Sequence, residues 1–294
     1  MFKNPAFLPV FLLILLAMIW GTSFILIKQG LQVFPPDEVG ALRVTAACLF
    51  MLPYSLTQIR DLEWKDHMKL LASGLMGVFI PAFLFATAQT KLPSAVTGIL
   101  NTLSPLFTML SGALLFGVVF RGYAILGVLI GLCGTTILML TGSGSELFGV
   151  HWFGLLVVLA CGLYGSNLNF IKYKINHLKP MTISSVSLLW IGPLAATYLF
   201  GFSDFLPRMQ THEGALNAMG FIVLLGCMST AIAGSLFTLL VKLKGPLYSS
   251  SVTYLMPVVA VLWGVMDGEQ LLPGHLVGMV LIIGGVWVAN IKTS

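Results

Sequence analysis

The chain has 294 residues, of which 57% are hydrophobic and only 9% are charged, and its mean hydropathy is +0.98. A soluble domain carries roughly 25% charged residues, so this composition excludes an ordinary water-soluble protein and predicts a polytopic integral membrane protein. The net charge of +5 comes without long basic clusters interleaved with aromatic residues, which argues against nucleic-acid binding.

Ten apolar runs, separated by charged or Pro/Gly-rich stretches, predict ten membrane-spanning helices and an all-α fold. The first run follows Lys3 like the core of a signal peptide, but it reaches residue 27 and has no A-x-A cleavage site, so we interpret it as a span. The connections are short, and no separate domain is expected. The predicted spans are residues 7–27, 38–57, 68–88, 93–117, 122–141, 151–171, 181–201, 215–239, 246–265 and 272–291.

The distribution of basic residues predicts the orientation of these spans, because cytoplasmic loops of membrane proteins are enriched in Lys and Arg. With a cytoplasmic N-terminus, the outer segments hold only Lys28, Lys91 and Arg208, and Arg43 falls inside the second span. We therefore expect a multi-pass protein of the cell (inner) membrane with both termini in the cytoplasm. The inner segments then hold Lys3, Arg60, Lys65, Lys69, Arg121, Lys172, Lys174, Lys179, Lys242, Lys244 and Lys292.

The two halves of the chain resemble each other. "WGTS" at 20–23 aligns with "YGSN" at 164–167 at an offset of 144 residues, Pro105 aligns with Pro257, and "LGVLIGLCG" at 126–134 aligns with "VGMVLIIGG" at 277–285. Because each half has an odd number of spans, the second must enter the membrane from the opposite side. The repeat predicts two inverted five-helix units, residues 1–145 and 146–294, around a central cavity; a duplication without consequence for transport is the alternative.

In the first and sixth spans, aromatic and polar residues share one helical face. Such a face is suited to the wall of a cavity that binds an amphipathic solute. Alternatively, Gly21 and Gly165 allow close helix packing, and the polar side chains form interhelical hydrogen bonds. The residues on the two faces are Trp20, Ser23, Phe24 and Ile27 in the first span, and Tyr164, Asn167 and Ile171 in the sixth.

Pro105 and Pro257 are expected in the middle of spans, where a proline frees the carbonyl four residues earlier, at Asn101 and Thr253. The polar residues around the two prolines are predicted to face the transport pathway, and the prolines themselves are predicted to act as hinges. Arg43 is predicted to bind a substrate carboxylate or a neighbouring helix end, with extension of its side chain to the interface as the alternative. Weaker candidates are Gln89, Trp190, Ser229 and Thr230. The predicted substrate-binding residues are Trp20, Ser23, Phe24, Arg43, Asn101, Ser104, Tyr164, Asn167, Trp190 and Tyr254.

Several reactive residue types are not arranged for chemistry. The four cysteines lie within predicted spans without a CxxC pair and are expected to be small buried residues, and the histidines form no ligand set, so no metal or cofactor is expected. No Asp or Glu is expected deep in a span, which argues against a carboxylate proton relay. Glycine ladders in the fifth and tenth spans predict tight packing or a homodimer face. The cysteines are Cys48, Cys133, Cys161 and Cys227.

These motifs together resemble the EamA-type family of the drug/metabolite transporter superfamily. "IWGTSFILIKQGL" at 19–31 resembles the family's W-G-small opening, and Arg43 and Pro105 resemble its second-span Arg and fourth-span Pro. "GVMDGEQL" at 264–271 resembles the Gly-Glu ending of the ninth span, whereas "LLFGVVFRG" at 114–122 lacks it. The seventh span also lacks a counterpart of Arg43.

The resemblance implies ten spans, cytoplasmic termini and a secondary transporter, commonly an exporter, of small metabolites such as amino acids. Its partners would be the transported small molecule and membrane lipid. The alternatives are a structural or receptor-like membrane protein without flux, and an intramembrane enzyme. An enzyme would need a catalytic pair at matching depth, and the spans contain no Ser–His, Asp–Asp or HExxH arrangement.

Overall fold

A computed structural model describes residues 7–92, 94–142, 152–266 and 272–289, which form helices and connecting turns without a strand. The predicted boundary between residues 145 and 146 lies outside these ranges. Glu146, His151, Asp267 and Glu269, as well as the terminal residues Lys3 and Lys292, also lie outside them.

Helices of the first half follow the predicted spans closely. The third span is continuous but contains a π-helical segment, Leu75–Phe79, between two α-helices. The elements are α1 (Phe7–Gly30), α2 (Pro36–Gln58), α3 (Trp64–Gly74), α4 (Ile80–Gln89), α5 (Ser94–Asn101), α6 (Ser104–Phe116) and α7 (Gly122–Gly142).

The second half repeats this order, with one additional short helix, α10, in a connection. A second π-helical segment, Leu225–Ile232, interrupts the eighth predicted span, as Leu75–Phe79 interrupts the third. The elements are α8 (Phe153–Lys174), α9 (Pro180–Gly201), α10 (Phe205–Thr211), α11 (Ala215–Leu224), α12 (Ala233–Lys244), α13 (Pro246–Ser250), α14 (Val252–Met266) and α15 (Pro273–Ala289).

Six continuous helical stretches in the described ranges are long and apolar enough to cross a membrane, and shorter apolar helices accompany them. Large apolar side chains are exposed on the outside of the bundle, among them Leu49, Leu114 and Val280. Exposing these side chains to water would cost free energy, whereas exposing them to lipid does not. The six stretches are Phe7–Gly30, Pro36–Asp61, Trp64–Gln89, Phe153–Lys174, Pro180–Gly201 and Ala215–Lys244.

The fourth and ninth predicted spans are not single helices, which corrects the expectation for Pro105. The chain breaks between α5 and α6, so Pro105 lies in the first turn of α6 instead of mid-helix. Proline is tolerated there because first-turn N–H groups have no helical partner. The ninth span breaks at Ser251, between α13 and α14, and Pro257 does lie inside α14.

Helices α2 and α9, which correspond in the repeat, run antiparallel to each other. At one end Tyr198 Oη donates a hydrogen bond to Asp37 Oδ2 over 2.5 Å, and at the other Thr182 Oγ1 donates one to Gln58 Oε1 over 3.0 Å. The start of each helix therefore lies beside the end of the other.

Helices α7 and α15 also correspond in the repeat, and they also pack antiparallel. A Cβ atom at Gly127 would lie 2.2 Å from the backbone nitrogen of Ala289, and one at Gly285 would lie 2.5 Å from that of Gly131. Only glycine permits such close backbone contact. The predicted glycine ladders thus form a tight contact within the chain, whereas a Cβ atom at Gly284 would have no neighbouring atom within 4 Å.

Gly21 and Gly165 occupy equivalent positions in two further helix contacts. A Cβ atom at Gly21 on α1 would lie 2.9 Å from Val259 Cβ on α14, and one at Gly165 on α8 would lie 2.6 Å from the carbonyl carbon of Phe107 on α6. The close packing that the sequence offered as one interpretation of these glycines is therefore present.

The cysteines differ in part from the expectation. Cys48 and Cys161 are buried, but Cys227 is half-buried and Cys133 is exposed on α7. All four are free thiols. An apolar span does not reveal which face points inward, because its lipid-facing side is apolar as well.

Candidate functional site

A cavity of about 160 Å³ lies between the two halves of the bundle. A cavity of this size has room for several water molecules. Its polar lining residues are Ser23, Arg43, Ser73, Asn101, Ser104, Tyr164, Asn167, Ser184, Ser187, Ser229, Thr230, Thr238, Ser250 and Thr253. Its other lining residues are Trp20, Phe24, Ile27, Gly77, Val78, Phe85, Leu168, Ile171, Ile183, Leu188, Gly234, Phe237 and Met256.

The cavity-facing positions of α1 and α8 correspond one to one in the repeat. All four residues of the predicted α1 face line the cavity, and so do all four positions 144 residues later. Leu168, which corresponds to Phe24, is the member that the sequence analysis did not include. The corresponding pairs are Trp20 and Tyr164, Ser23 and Asn167, Phe24 and Leu168, and Ile27 and Ile171.

The same correspondence continues on other helices. With Pro105 aligned to Pro257, Asn101 and Ser104 correspond to Thr253 and Met256, and all four line the cavity. The repeat therefore places matched positions of the two halves around one space.

Helices α2 and α9 contribute matched positions of different chemistry. Both begin at a proline, Pro36 and Pro180, at the 144-residue offset, which places Ser187 at the position of Arg43. Both residues line the cavity. The Ser187 hydroxyl is buried and has no hydrogen-bond partner in the described part of the chain.

Eight of the ten predicted substrate-binding residues line the cavity, and Trp190 and Tyr254 do not. Trp190 Nε1 instead donates to His67 Nδ1 over 3.4 Å. Tyr254 is buried against Gly131, with its hydroxyl donating to the carbonyl of Val128 over 3.2 Å. Tyr254 was predicted as part of the polar cluster around Pro257 and Trp190 as a weaker candidate, and position along a span does not determine the direction in which a side chain points.

The weaker candidates divide in the same way. Ser229 and Thr230 line the cavity, whereas Gln89 donates a hydrogen bond over 3.4 Å to the carbonyl of Phe24 and lies outside the wall. Neither Pro105 nor Pro257 lines the cavity.

The π-helical segment Leu225–Ile232 holds the α1 wall of the cavity. Trp20 Nε1 donates to the carbonyl of Ser229 over 2.9 Å, and the hydroxyls of Ser23 and Ser229 lie 2.8 Å apart. A π-helical turn displaces carbonyls from the regular helical ladder and is frequent at functional sites. This displacement makes a backbone acceptor available to a side chain of another helix.

Arg43 is bonded to the same segment. Its Nε donates to Thr230 Oγ1 over 2.7 Å, its two terminal nitrogens make no hydrogen bond within the described ranges, and Arg43 lines the cavity. No Asp or Glu of the described ranges lies within ion-pair distance of Arg43. It is the one ionised side chain among the described lining residues.

Residues of α3 and of the other π-helical segment contact the opposite wall. Ser73 Oγ donates to Asn167 Oδ1 over 2.8 Å, and a Cβ atom at Gly77 would lie 2.2 Å from Asn167 Nδ2. Gly77 lies within Leu75–Phe79. The sequence analysis included neither Ser73 nor Gly77, which are four residues apart and share a helical face.

The carbonyl of Asn101 is already bonded, although the sequence had suggested that it would be free. It accepts a hydrogen bond from Ser104 Oγ over 2.8 Å, because the helix break brings this hydroxyl back over the last turn of α5. Asn101 Nδ2 has only the thioether of Met256 as acceptor, at 3.7 Å.

Aromatic side chains cover two sides of the cavity. Trp20 and Phe237 form an edge-to-face pair with ring centroids 4.7 Å apart. Phe85 stacks on Tyr164 at 5.9 Å and contacts Phe24 at 6.3 Å. No carboxylate, imidazole or thiol lines the described wall. The cavity therefore offers hydrogen-bonding groups, one positive charge and aromatic surface, and these groups are suited to binding a small molecule.

Relatives of the chain are named as transporters. The chain is 29% identical over 276 residues to the "uncharacterized inner membrane transporter YedA" of Escherichia coli K12, covering 90% of this chain and 85% of that protein. It is 24% identical over 288 residues to a "probable amino-acid metabolite efflux pump" of the same organism, covering 94% and 93%. An "uncharacterized transporter" of Archaeoglobus fulgidus is 24% identical, covering 92% and 94%.

The fold has been observed before. A protein of known crystal structure superposes with a TM-score of 0.69 at 20% identity, covering 96% of both chains. The family model of the EamA-like transporters matches the sequence twice, at residues 7–140 and 151–291. Each match covers one of the two sets of helices that surround the cavity, and together they span nearly the whole sequence. The chain belongs to the EamA-like transporter family.

Proposed function

We propose that this membrane transporter is a secondary transporter that exports small amphipathic metabolites such as amino acids by alternating access around the central cavity. The single observation that carries the proposal is the cavity wall built from corresponding positions of α1 and α8. Two related halves around one site can exchange their conformations, which makes outward-open and inward-open states similar in free energy.

The helix packing supports the inverted arrangement in this proposal. Counting each pair of helices separated by a break as one span gives ten spans, and the corresponding helices α2 and α9 run antiparallel, as do α7 and α15. The division at residues 145 and 146 and the homodimer remain predictions. The excess of Lys and Arg in the segments around α3, α9 and α13 supports cytoplasmic termini.

Polar contacts at the two ends of the bundle are suited to alternating access. At the start of α2, Arg208 Nε pairs with the buried carboxylate of Glu38 over 3.2 Å. At the start of α3, Asp66 Oδ2 lies 3.0 Å from Nε2 of His177, in the connection after α8. Such contacts exchange for water when an end opens, so breaking them costs less than separating a packed apolar core.

The test is transport by the purified protein in proteoliposomes with radiolabelled amino acids. We expect saturable uptake of the labelled solute, and faster uptake when the vesicles are preloaded with the same unlabelled solute. The absence of saturable flux for every small solute tried would exclude a transporter. Trp20→Ala and Asn101→Ala should each reduce flux at least about tenfold, as expected when a group of the binding wall is lost, while insertion is retained. Trp152→Ala is the matched control, since Trp152 is 83% exposed before α8.

A further inference from the structure

The charge of Arg43 has no protein counter-charge in the described cavity wall. The nearest carboxylates on its own helix are engaged elsewhere, since Glu38 pairs with Arg208 and Asp37 accepts the hydroxyl of Tyr198. A guanidinium group within a membrane bundle is costly unless an opposite charge or water accompanies it. Its Nε bond to Thr230 provides a neutral acceptor only.

Three acceptors of the wall already have a hydrogen-bond donor. The Ser229 carbonyl accepts from Trp20 Nε1, the Asn101 carbonyl accepts from Ser104 Oγ, and Asn167 Oδ1 accepts from Ser73 Oγ. An ammonium group entering the cavity would find hydroxyl and carbonyl acceptors, but no carboxylate in the described wall to balance its charge.

Donors of the wall, in contrast, are available. The terminal nitrogens of Arg43 make no hydrogen bond within the described ranges, and Asn101 Nδ2 has only a thioether sulfur at 3.7 Å. A carboxylate accepts several hydrogen bonds and matches the planar guanidinium group bidentately. The unused groups therefore complement an anion.

The remaining wall favours an apolar body attached to that anion. Phe24, Phe85 and Tyr164 form a continuous aromatic surface, and Trp20 with Phe237 forms another. Aromatic faces of this kind bind flat or aliphatic groups through burial and ring contacts.

We propose that the ligand of this cavity is a small organic monoanion with an aromatic or aliphatic body, and that Arg43 binds its anionic group. The proposal rests on the proposed transport function and narrows its substrate class. An amino acid still binds through its carboxylate, but its ammonium group lacks an anionic partner in the described wall. A cation of the same shape binds worst.

Three probes that share a phenyl ring on a two-carbon chain test this order: phenylpropionate carries a carboxylate, phenylalanine carries both groups, and phenethylamine carries an ammonium group. Binding is measured first in detergent by thermal stabilisation, and counterflow is then measured in phosphatidylcholine vesicles, which contribute no anionic lipid. Phenylpropionate should bind most tightly and phenethylamine least. Arg43→Gln should weaken phenylpropionate binding about 10- to 150-fold, as the loss of hydrogen bonds to a charged group implies, with little effect on phenethylamine.

Arg43→Lys keeps the charge without the bidentate geometry and should lie between wild type and Arg43→Gln. Arg60→Gln is the matched control, because Arg60 is exposed after α2. If Arg43→Gln does not fold, as judged by size-exclusion chromatography, the Arg43→Lys result decides. Unchanged phenylpropionate binding in the folded variant, or tightest binding of phenethylamine, would overturn the proposal. Binding in the predicted order without counterflow would instead support the anion site and refute the transport function.

Discussion

Replacing Gly165 with Ala tests how the contact between α8 and α6 positions the cavity wall. The added Cβ would lie 2.6 Å from the carbonyl carbon of Phe107 and 2.6 Å from the backbone nitrogen of Thr108. Both are backbone atoms and cannot rotate away, so the helices must separate by about 0.8 Å to reach ordinary contact. Overpacking of this kind costs about 1–3 kcal/mol, and better helix propensity returns about 0.5–1 kcal/mol.

The displacement also reaches the cavity. Tyr164 and Asn167 flank Gly165 on the same helix, and the 2.8 Å bond from Ser73 to Asn167 would lengthen beyond hydrogen-bonding distance if the shift pointed away from α3. We expect a net loss of stability on the order of 1–2 kcal/mol together with reduced flux. Thermal unfolding in detergent and transport in proteoliposomes measure the two effects.

Gly220→Ala is the control for this substitution. Gly220 lies inside α11 with no atom within 4 Å of an added Cβ, so the same change there should leave stability unchanged or raise it by about 0.5–1 kcal/mol. Equal melting temperatures for the two variants would refute the close contact at Gly165. Reduced stability with undiminished flux would refute the link between this contact and the cavity.

Three further substitutions probe single hydrogen bonds. Tyr198→Phe removes the bond to the Asp37 carboxylate and should lower stability by about 1.5–3 kcal/mol in thermal unfolding. Ser73→Ala removes the donor to Asn167 and should lower it by about 1 kcal/mol. Ser187→Ala removes a buried hydroxyl without a partner in the described chain, so stability should be unchanged or rise by up to about 1–3 kcal/mol.

Each expectation has an outcome that contradicts it. Tyr123→Phe is the control for Tyr198→Phe, because Tyr123 is 53% exposed, and equal effects of the two changes would show that the Asp37 contact does not stabilise the bundle. Ser73 and Ser187 serve as controls for each other. If Ser187→Ala were the more destabilising of the two, its hydroxyl would have a bonding role that the cavity geometry does not explain.

Periodicity and composition predicted the membrane class and most helix boundaries, because a helix in lipid must satisfy its own backbone and therefore needs a long apolar run. The offset of 144 residues also predicted three of the four residues on the α8 face of the cavity. Spacing along a helix is a local property, so the shared face of Trp20, Ser23 and Phe24 could be read from the sequence alone.

Other features depended on contacts between distant segments. The sequence placed Trp190 and Tyr254 in the cavity wall, but their side chains point to His67 and Val128. The break before Pro105 was also unexpected, since a proline is compatible both with a kinked helix and with a helix start.

The sequence by itself determined that this chain is a membrane protein made of two related halves, and it identified one helical face in each half that lines the cavity. Only the tertiary structure decided which polar groups are already satisfied and which remain available. Arg43 is bonded to Thr230, and Ser187 has no partner in the described chain, although the two occupy corresponding positions. The physical reason is that hydrogen-bond satisfaction is a property of pairs of helices, whereas periodicity is a property of one helix.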